Sequence, residues 1–232
     1  MFRNEEKGQN MLVHEALAAR QSVRKFLDKV PAYDDIAKIL EYAKRSPSGT
    51  NTQPWQVAVV SGATKAVLDK RLVEAFRSGQ EKNLDYNYYP AKLPREMQLR
   101  RVACGMQMYQ TLGITRQDTD KRLLQWEQNY SAFGAPVVLF FFTNKMLEKG
   151  SYLDCGMFLQ SVMLMATELG MATCAQAALA EYPEIVKEHL GYSKEDDILL
   201  CGMALGYEDK TALINSYRTE REELEVFTKF FD

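Results

Sequence analysis

Apolar positions along the chain follow two spacings. Ile36, Ile39, Leu40 and Ala43 recur at i, i+3, i+4 and i+7, which marks one buried helical face and predicts a helix over roughly 34–44. Pro47 ends it, because a proline pushes the residue before it out of the helical region. Asn10 is placed to cap an earlier helix that runs to about Ala19. Runs rich in β-branched and aromatic residues predict strands at 55–60, 136–143 (PVVLFFFT), 171–175 and 198–205. Further helices are predicted at 63–76, 153–169 and 183–190. Pro183 suits a first helical turn, and Gly170 and Gly191 suit the left-handed residue that closes one.

Three stretches break the simple alternation. The helix at 153–169 has a stripe of Leu159, Val162, Met163 and Ala166, yet apolar residues continue nearly all round it. Such a helix belongs at the centre of a core or a subunit interface. Residues 78–132 contain YNYYPAKLP, many charges and mixed helical pieces with no single period, and read as an inserted, partly helical excursion. Leu224 to Phe231 is an apolar tail with Val226, Phe227, Phe230 and Phe231, which must bury itself on its own body or on a partner.

Composition narrows the function classes. The 232 residues are 46% hydrophobic, enough for one or at most two cored domains. The net charge is −2, so no strong field draws nucleic acid or an anionic membrane. No apolar stretch is long enough to span a bilayer and the N-terminus has no apolar signal core, so the expected location is the cytoplasm. Cys104, Cys155, Cys174 and Cys201 form no CxxC pair and read mainly as buried free thiols. With only His14 and His189, and no HxxxH, no metal site is expected. No G-x-G-x-x-G follows the first strand, which removes the main support for a Rossmann or P-loop fold.

Four segments carry candidate chemistry. RQSVRKF can aim Arg20, Ser22 and Arg24 at one anion, since guanidinium forks match phosphate oxygens; it also suits a solvated basic helix end. RSPSGTNTQPW offers Ser48, Thr50, Asn51 and Gln53 around Gly49, for a heterocycle edge or as an ordinary loop. TCAQAALAEYP places small residues where a strand meets a helix, so that backbone amides can face a flat ligand or simply make a tight connection. After LLCGMALGY comes RTER, whose Arg218 and Arg221 could instead pair with Glu220, Glu222 and Glu223.

Taken in order, these segments resemble the nitroreductase family of FMN-dependent NAD(P)H oxidoreductases, from about Leu12 to Leu224. The middle stretch, with YYP and MYQTLGITRQDTDKRLLQWEQNYSAFGAPV, is most similar to the nitrobenzoate-reductase-like branch. The resemblance implies an α+β fold with a mixed, mainly antiparallel sheet flanked by helices. It implies one nitroreductase domain over 1–232, with a lid at 78–132 and an arm at 222–232 reaching a partner in an intertwined homodimer. Arg20, Gln21, Ser22 and Arg24 match the first FMN segment, although a second arginine often stands where Gln21 does. Pro47, Ser48, Gly49 and Asn51 match the segment that reaches the flavin from the other subunit. Gln176 and Ala177 match the run beside the isoalloxazine, where a donor is expected. Arg221 matches the late phosphate arginine; Thr219 stands where some members have a lysine, a loss of phosphate contact that Arg218 could offset.

The implied chemistry is hydride transfer from NADH or NADPH to FMN, then two electrons to a nitroaromatic or quinone. No general acid, general base or metal is implied, and Cys174 is read as an inert thiol. Tyr86, Tyr88, Tyr89, Tyr109 and Trp126 could stack on an aromatic oxidant, or pack in the core. The dehalogenating branch's Glu, Tyr and Lys set has no convincing place in 80–125. Alternatives are a flavin-binding or storage protein with little turnover, and a flavin-consuming enzyme of the same fold.

Overall fold

The computed structural model describes residues 11–232; the Asn10 cap lies outside them. The order is α1 (Val13–Ala19), α2 (Tyr33–Ala43), β1 (Gln56–Ser61), α3 (Gly62–Arg77), α4 (Arg95–Thr111), α5 (Thr119–Glu127), β2 (Val137–Asn144), α6 (Lys149–Glu168), β3 (Ala172–Gln176), α7 (Pro183–Leu190), β4 (Asp197–Gly206) and α8 (Leu224–Phe227). The strands form one sheet, ordered β1-β2-β4-β3, in which every neighbouring pair is antiparallel. A single parallel bridge, Ser22 to Thr173, adds the mixed character at its β3 edge.

Helices cover both faces, which is why β2 reads as an unbroken apolar run rather than an alternating one. Its residues divide by parity. Val138, Phe140 and Phe142 pack with Leu68 and Leu72 of α3 and Val186 of α7. Val137, Leu139 and Phe141 pack with Ile36 and Ile39 of α2 and Phe158 and Val162 of α6. This is the expected α+β arrangement.

Element boundaries differ from the sequence pattern where polar residues start a helix. α6 begins at Lys149, earlier than the apolar signal at Leu153, because its first turn of Lys149, Gly150 and Ser151 contributes hydrogen bonds but no apolar period. α7 matches its prediction, ending at Gly191 with φ of 75°. The segment 78–132 contains α4 and α5. Neither helix has a buried residue, so neither needs a clean period against this chain. Where the segment leaves α3 it is tied down: Asp85 accepts from Lys187 Nζ at 2.8 Å and from the Leu199 amide at 2.7 Å, and Tyr86 donates to the Leu200 carbonyl at 2.8 Å. The tail is not covered by its own body; Phe227, Phe230 and Phe231 are 71%, 82% and 90% exposed.

Gly202 of β4 matters for the site end of the sheet. A Cβ there would stand 2.7 Å from Leu179 Cβ, so only glycine lets the Ala177–Ala180 turn lie against the strand. Gly202→Ala is expected to cost about 1–3 kcal/mol by overpacking. Chemical denaturation measures it, and an unchanged midpoint would show that the turn yields freely.

Candidate functional site

After α1 the chain runs extended from Gln21 to Phe26, bridging Ser22 to Thr173 of β3 and Phe26 to Glu208. The Val23 amide donates to the Thr173 carbonyl at 3.0 Å and the Leu27 amide to the Tyr207 carbonyl at 2.8 Å. Buried Asn215 completes the seam, accepting from the Arg24 amide at 2.8 Å and donating to the Lys25 carbonyl at 2.8 Å. Val23 and Phe26 enter the core, while Arg20, Gln21, Ser22 and Arg24 face one cavity. The basic segment is a strand-like edge, not a helix end.

Those residues open onto a cavity of about 380 Å³, lined also by Gln21, Tyr217, Arg218, Thr219, Arg221 and Cys104. Four arginines meet there, and no acidic side chain lines the cavity among the described residues. Burial, then the charges of Arg221 and Arg218, push the Arg20 guanidinium below its ordinary pKa. Arg24 reaches only the Ser22 carbonyl at 3.2 Å and the Tyr217 hydroxyl at 3.4 Å. Glu222 does not answer this charge, since it pairs with Arg100 of α4. The donor set is therefore a cationic cradle, and it fits a phosphate group.

Arg218 plays a part that its sequence position did not reveal. Its guanidinium donates to the Ala18 carbonyl at 2.7 Å and the Ala19 carbonyl at 2.6 Å, capping the negative end of α1. It lends charge to the cavity, but its nitrogens are engaged. Thr219, at the position where some family members have a lysine, accepts from Arg221 at 2.9 Å and so orients it. Gln21 turns to Glu208, donating at 2.7 Å.

The second predicted segment stands elsewhere. Pro47, Ser48, Gly49 and Asn51 do not line the arginine cavity. They lead into and form a single 3₁₀ turn, Gly49–Asn51; Thr50 and Asn51 within it and Gln53 just after it take φ of 48°, 61° and 48°. Non-glycine residues in this region cost roughly 1–3 kcal/mol each and persist where surroundings hold them. Ser48 Oγ accepts from the Gln53 amide at 3.0 Å, and Asp154 of α6 accepts from the Gly49 amide at 3.1 Å.

Gln176 ends β3, three residues beyond Thr173, or about 10 Å further along the strand. Its side chain is buried and donates inward to the Asn129 carbonyl at 3.0 Å, so the expected side-chain donor is engaged; its Oε1 has no partner among the described residues. Ala177 starts the turn that Gly202 accommodates. Cys174 lies beneath the arginines. Burial raises its thiol pKa against the opposing pull of Arg24 and Arg20, which fits an inert thiol. Cys155 and Cys201 are buried as expected, whereas Cys104 is exposed on α4. Tyr86 is held by Leu200, Tyr109 lies under Arg122 and Trp126 lies near Lys82, while Tyr88 and Tyr89 are over half exposed.

A family model described as "Nitroreductase family" matches residues 17–207. The chain belongs to the nitroreductase family. A 4-nitrobenzoate reductase from Pseudomonas putida is 36% identical over 214 residues, covering 92% of this chain and 93% of that one. The structure of an FMN and NADPH-dependent nitroreductase NfnB from Sphigopyxis sp. strain HMH superposes with a TM-score of 0.91 at 37% identity, covering 95% and 99% of the two chains. That of the FMN-dependent NfnB from Mycobacterium smegmatis, in complex with NADPH, gives 0.90 at 34% identity over 95% and 98%. Within the nitroreductase family the chain falls in the nitrobenzoate-reductase-like branch.

The crowding of like charges gives this nitroreductase a testable property. Replacing Arg20 by Gln should raise the melting temperature of the ligand-free protein, since burial and two neighbouring cations act against that charge. Pyrophosphate should then stabilise the variant less than the wild type. A lower melting temperature in Arg20→Gln would mean that Arg20 has a favourable partner in the folded protein.

Proposed function

We propose that the chain is an FMN-dependent NAD(P)H nitroreductase, acting by a ping-pong cycle on nitroaromatic or quinone-type acceptors. The observation that carries this is the four-arginine cavity without a counter-ion, set against the β3 edge in a nitroreductase-family chain. Flavin storage and flavin consumption are not favoured, because relatives spanning nine-tenths of the chain are named reductases.

FMN, when bound, supplies the hydride exchange with the nicotinamide and the two-electron delivery to the oxidant. Arg20 and Arg221 hold its phosphate, and Ser22 and Arg24 stand on the same side of the extended segment. Gln21, locked to Glu208, keeps that segment in register. Gln176 and Ala177 would stand beside the flavin ring, although the Gln176 side-chain amide is already engaged by the Asn129 carbonyl. Pro47, Ser48, Gly49 and Asn51 approach the flavin from a second copy of the chain, which fits their place outside the arginine cavity. No residue is assigned as general acid or base. The protein supplies position and positive potential for charge that develops on the ring.

Residues 1–232 then form one domain, with 78–132 as its lid and 222–232 as an arm across a homodimer. The exposed Phe227, Phe230 and Phe231 support the arm, and the exposed Met97, Leu99, Val102 and Met106 of α4 support a covered lid. No helix among the described residues is long and apolar enough to cross a membrane. Three buried thiols without a disulfide suit a cytoplasmic location.

Anaerobic stopped-flow with NADH and NADPH tests the reading. Flavin absorbance should bleach and return on adding a nitroaromatic or quinone; persistent absorbance at saturating reductant refutes it. Arg221→Ala should weaken FMN binding by roughly 1.5–3 kcal/mol, one to two powers of ten. Retention equal to wild type in a fluorescence titration would remove Arg221 from the site. Truncation after Glu223 should shift sedimentation from dimer to monomer, and an intact dimer would argue against the arm.

A further inference from the structure

Helix α6 offers three side chains to the 46–55 loop, at i, i+4 and i+7. Asp154 accepts from the Gly49 amide at 3.1 Å. Phe158 stacks on Trp55 with centroids 4.7 Å apart and planes 6° from parallel. Ser161 Oγ lies 2.7 Å from Ser46 Oγ. From β2, Thr143 donates to the Pro54 carbonyl at 3.0 Å. Both ends of the loop are therefore held by neutral contacts, and its middle by a carboxylate.

That carboxylate is unusual. Asp154 is only 9% exposed, and no cation pairs with it among the described residues. Burying a charge is costly unless it is well bonded, and a neutral acceptor could have served a passive role. The amide it grips comes immediately before Thr50 and Asn51, the first two of the loop's three left-handed non-glycine residues. A charge-assisted bond is among the stronger single restraints available to such a loop. Gly49 itself is exposed, so this bond is what fixes the loop's middle to the body of the protein.

We propose that Asp154 is the positioning residue of the flavin-facing loop, setting through the Gly49 amide where Ser48 and Asn51 stand. The proposal rests on the flavin reading given above. Asp154 touches no reacting atom. It acts by holding the loop in its strained form before the cofactor arrives, so that little ordering is left to occur on binding.

The test uses the FMN-loaded full chain, as wild type, Asp154→Ala, Asp154→Asn, Gly49→Pro and the Asp154→Ala/Gly49→Pro pair. Gly49→Pro removes the same N–H and puts a ring carbon in its place against Asp154, a crowding that the Asp154→Ala partner relieves. Ser48, just before Gly49, is extended at φ −147°, ψ 153°, the backbone that a following proline requires. The readouts are the FMN dissociation constant and the visible circular dichroism of bound flavin. Asp154→Ala should weaken FMN about tenfold and alter the flavin band, while Asp154→Asn, which keeps an acceptor oxygen, should stay within about threefold. The double variant should be no weaker than the weaker single one, because one bond cannot be lost twice.

Wild-type affinity and dichroism in Asp154→Ala overturn the proposal, as does an additive loss in the pair. If Asp154→Ala does not fold, an unchanged flavin band in Gly49→Pro overturns it. Failure of the wild type to bind FMN is seen in the first titration and refutes the flavin reading itself.

Discussion

The candidate site depends on one seam: the extended segment after α1 laid against the edge of β3. The hydrogen bond from Val23 to Thr173 and the bridge at Ser22 hold that segment against the sheet. That seam sinks Val23 and Phe26 into the core and leaves Arg20, Ser22 and Arg24 together on one cavity. The same seam covers part of an exposed sheet edge, which would otherwise invite pairing with another chain.

The arginine cavity shows function opposing stability. Four cations share a small space, and burial and mutual repulsion both act against Arg20. Nearby carboxylates are occupied elsewhere: Glu222 by Arg100, and Glu208 by Gln21. The fold thus withholds its own acids from the place where they would most stabilise it. In the proposed reading, an anionic cofactor supplies the missing charge. The same logic appears at the 46–55 loop, where left-handed residues are tolerated because α6 and β2 grip the loop along its length.

Periodicity made most of the fold legible. The apolar stripe of α2, the unbroken run of β2, and the proline and glycine that bracket α7 all fell where pattern and capping chemistry put them. The segment 78–132 was less readable, because α4 and α5 bury nothing against this chain and so carry no intrachain period. At the site, the arginine segments were visible as motifs, but their partners were not. Asn215 lies 191 residues from Arg24, and a single asparagine in a loop gives no local signal. Arg218 was visible as a charge, yet its role as a cap on α1 depends on which carbonyls fold places beside it. Gln176 was expected to offer a side-chain donor; a neighbouring turn at Asn129 takes that donor instead.

The grip of Arg218 on Ala18 joins positions 200 residues apart. During synthesis at about 5–20 residues per second, the first arginine segment leaves the ribosome roughly 10–40 seconds before its counterpart exists. Throughout that interval α1 has an uncapped end, and Arg20 and Arg24 lack both their neighbours and their ligand. The cradle can be assembled only after nearly the whole chain has emerged. The cavity is thereby a late-forming part of the fold, and a prematurely terminated chain would keep most of the sheet while never acquiring it.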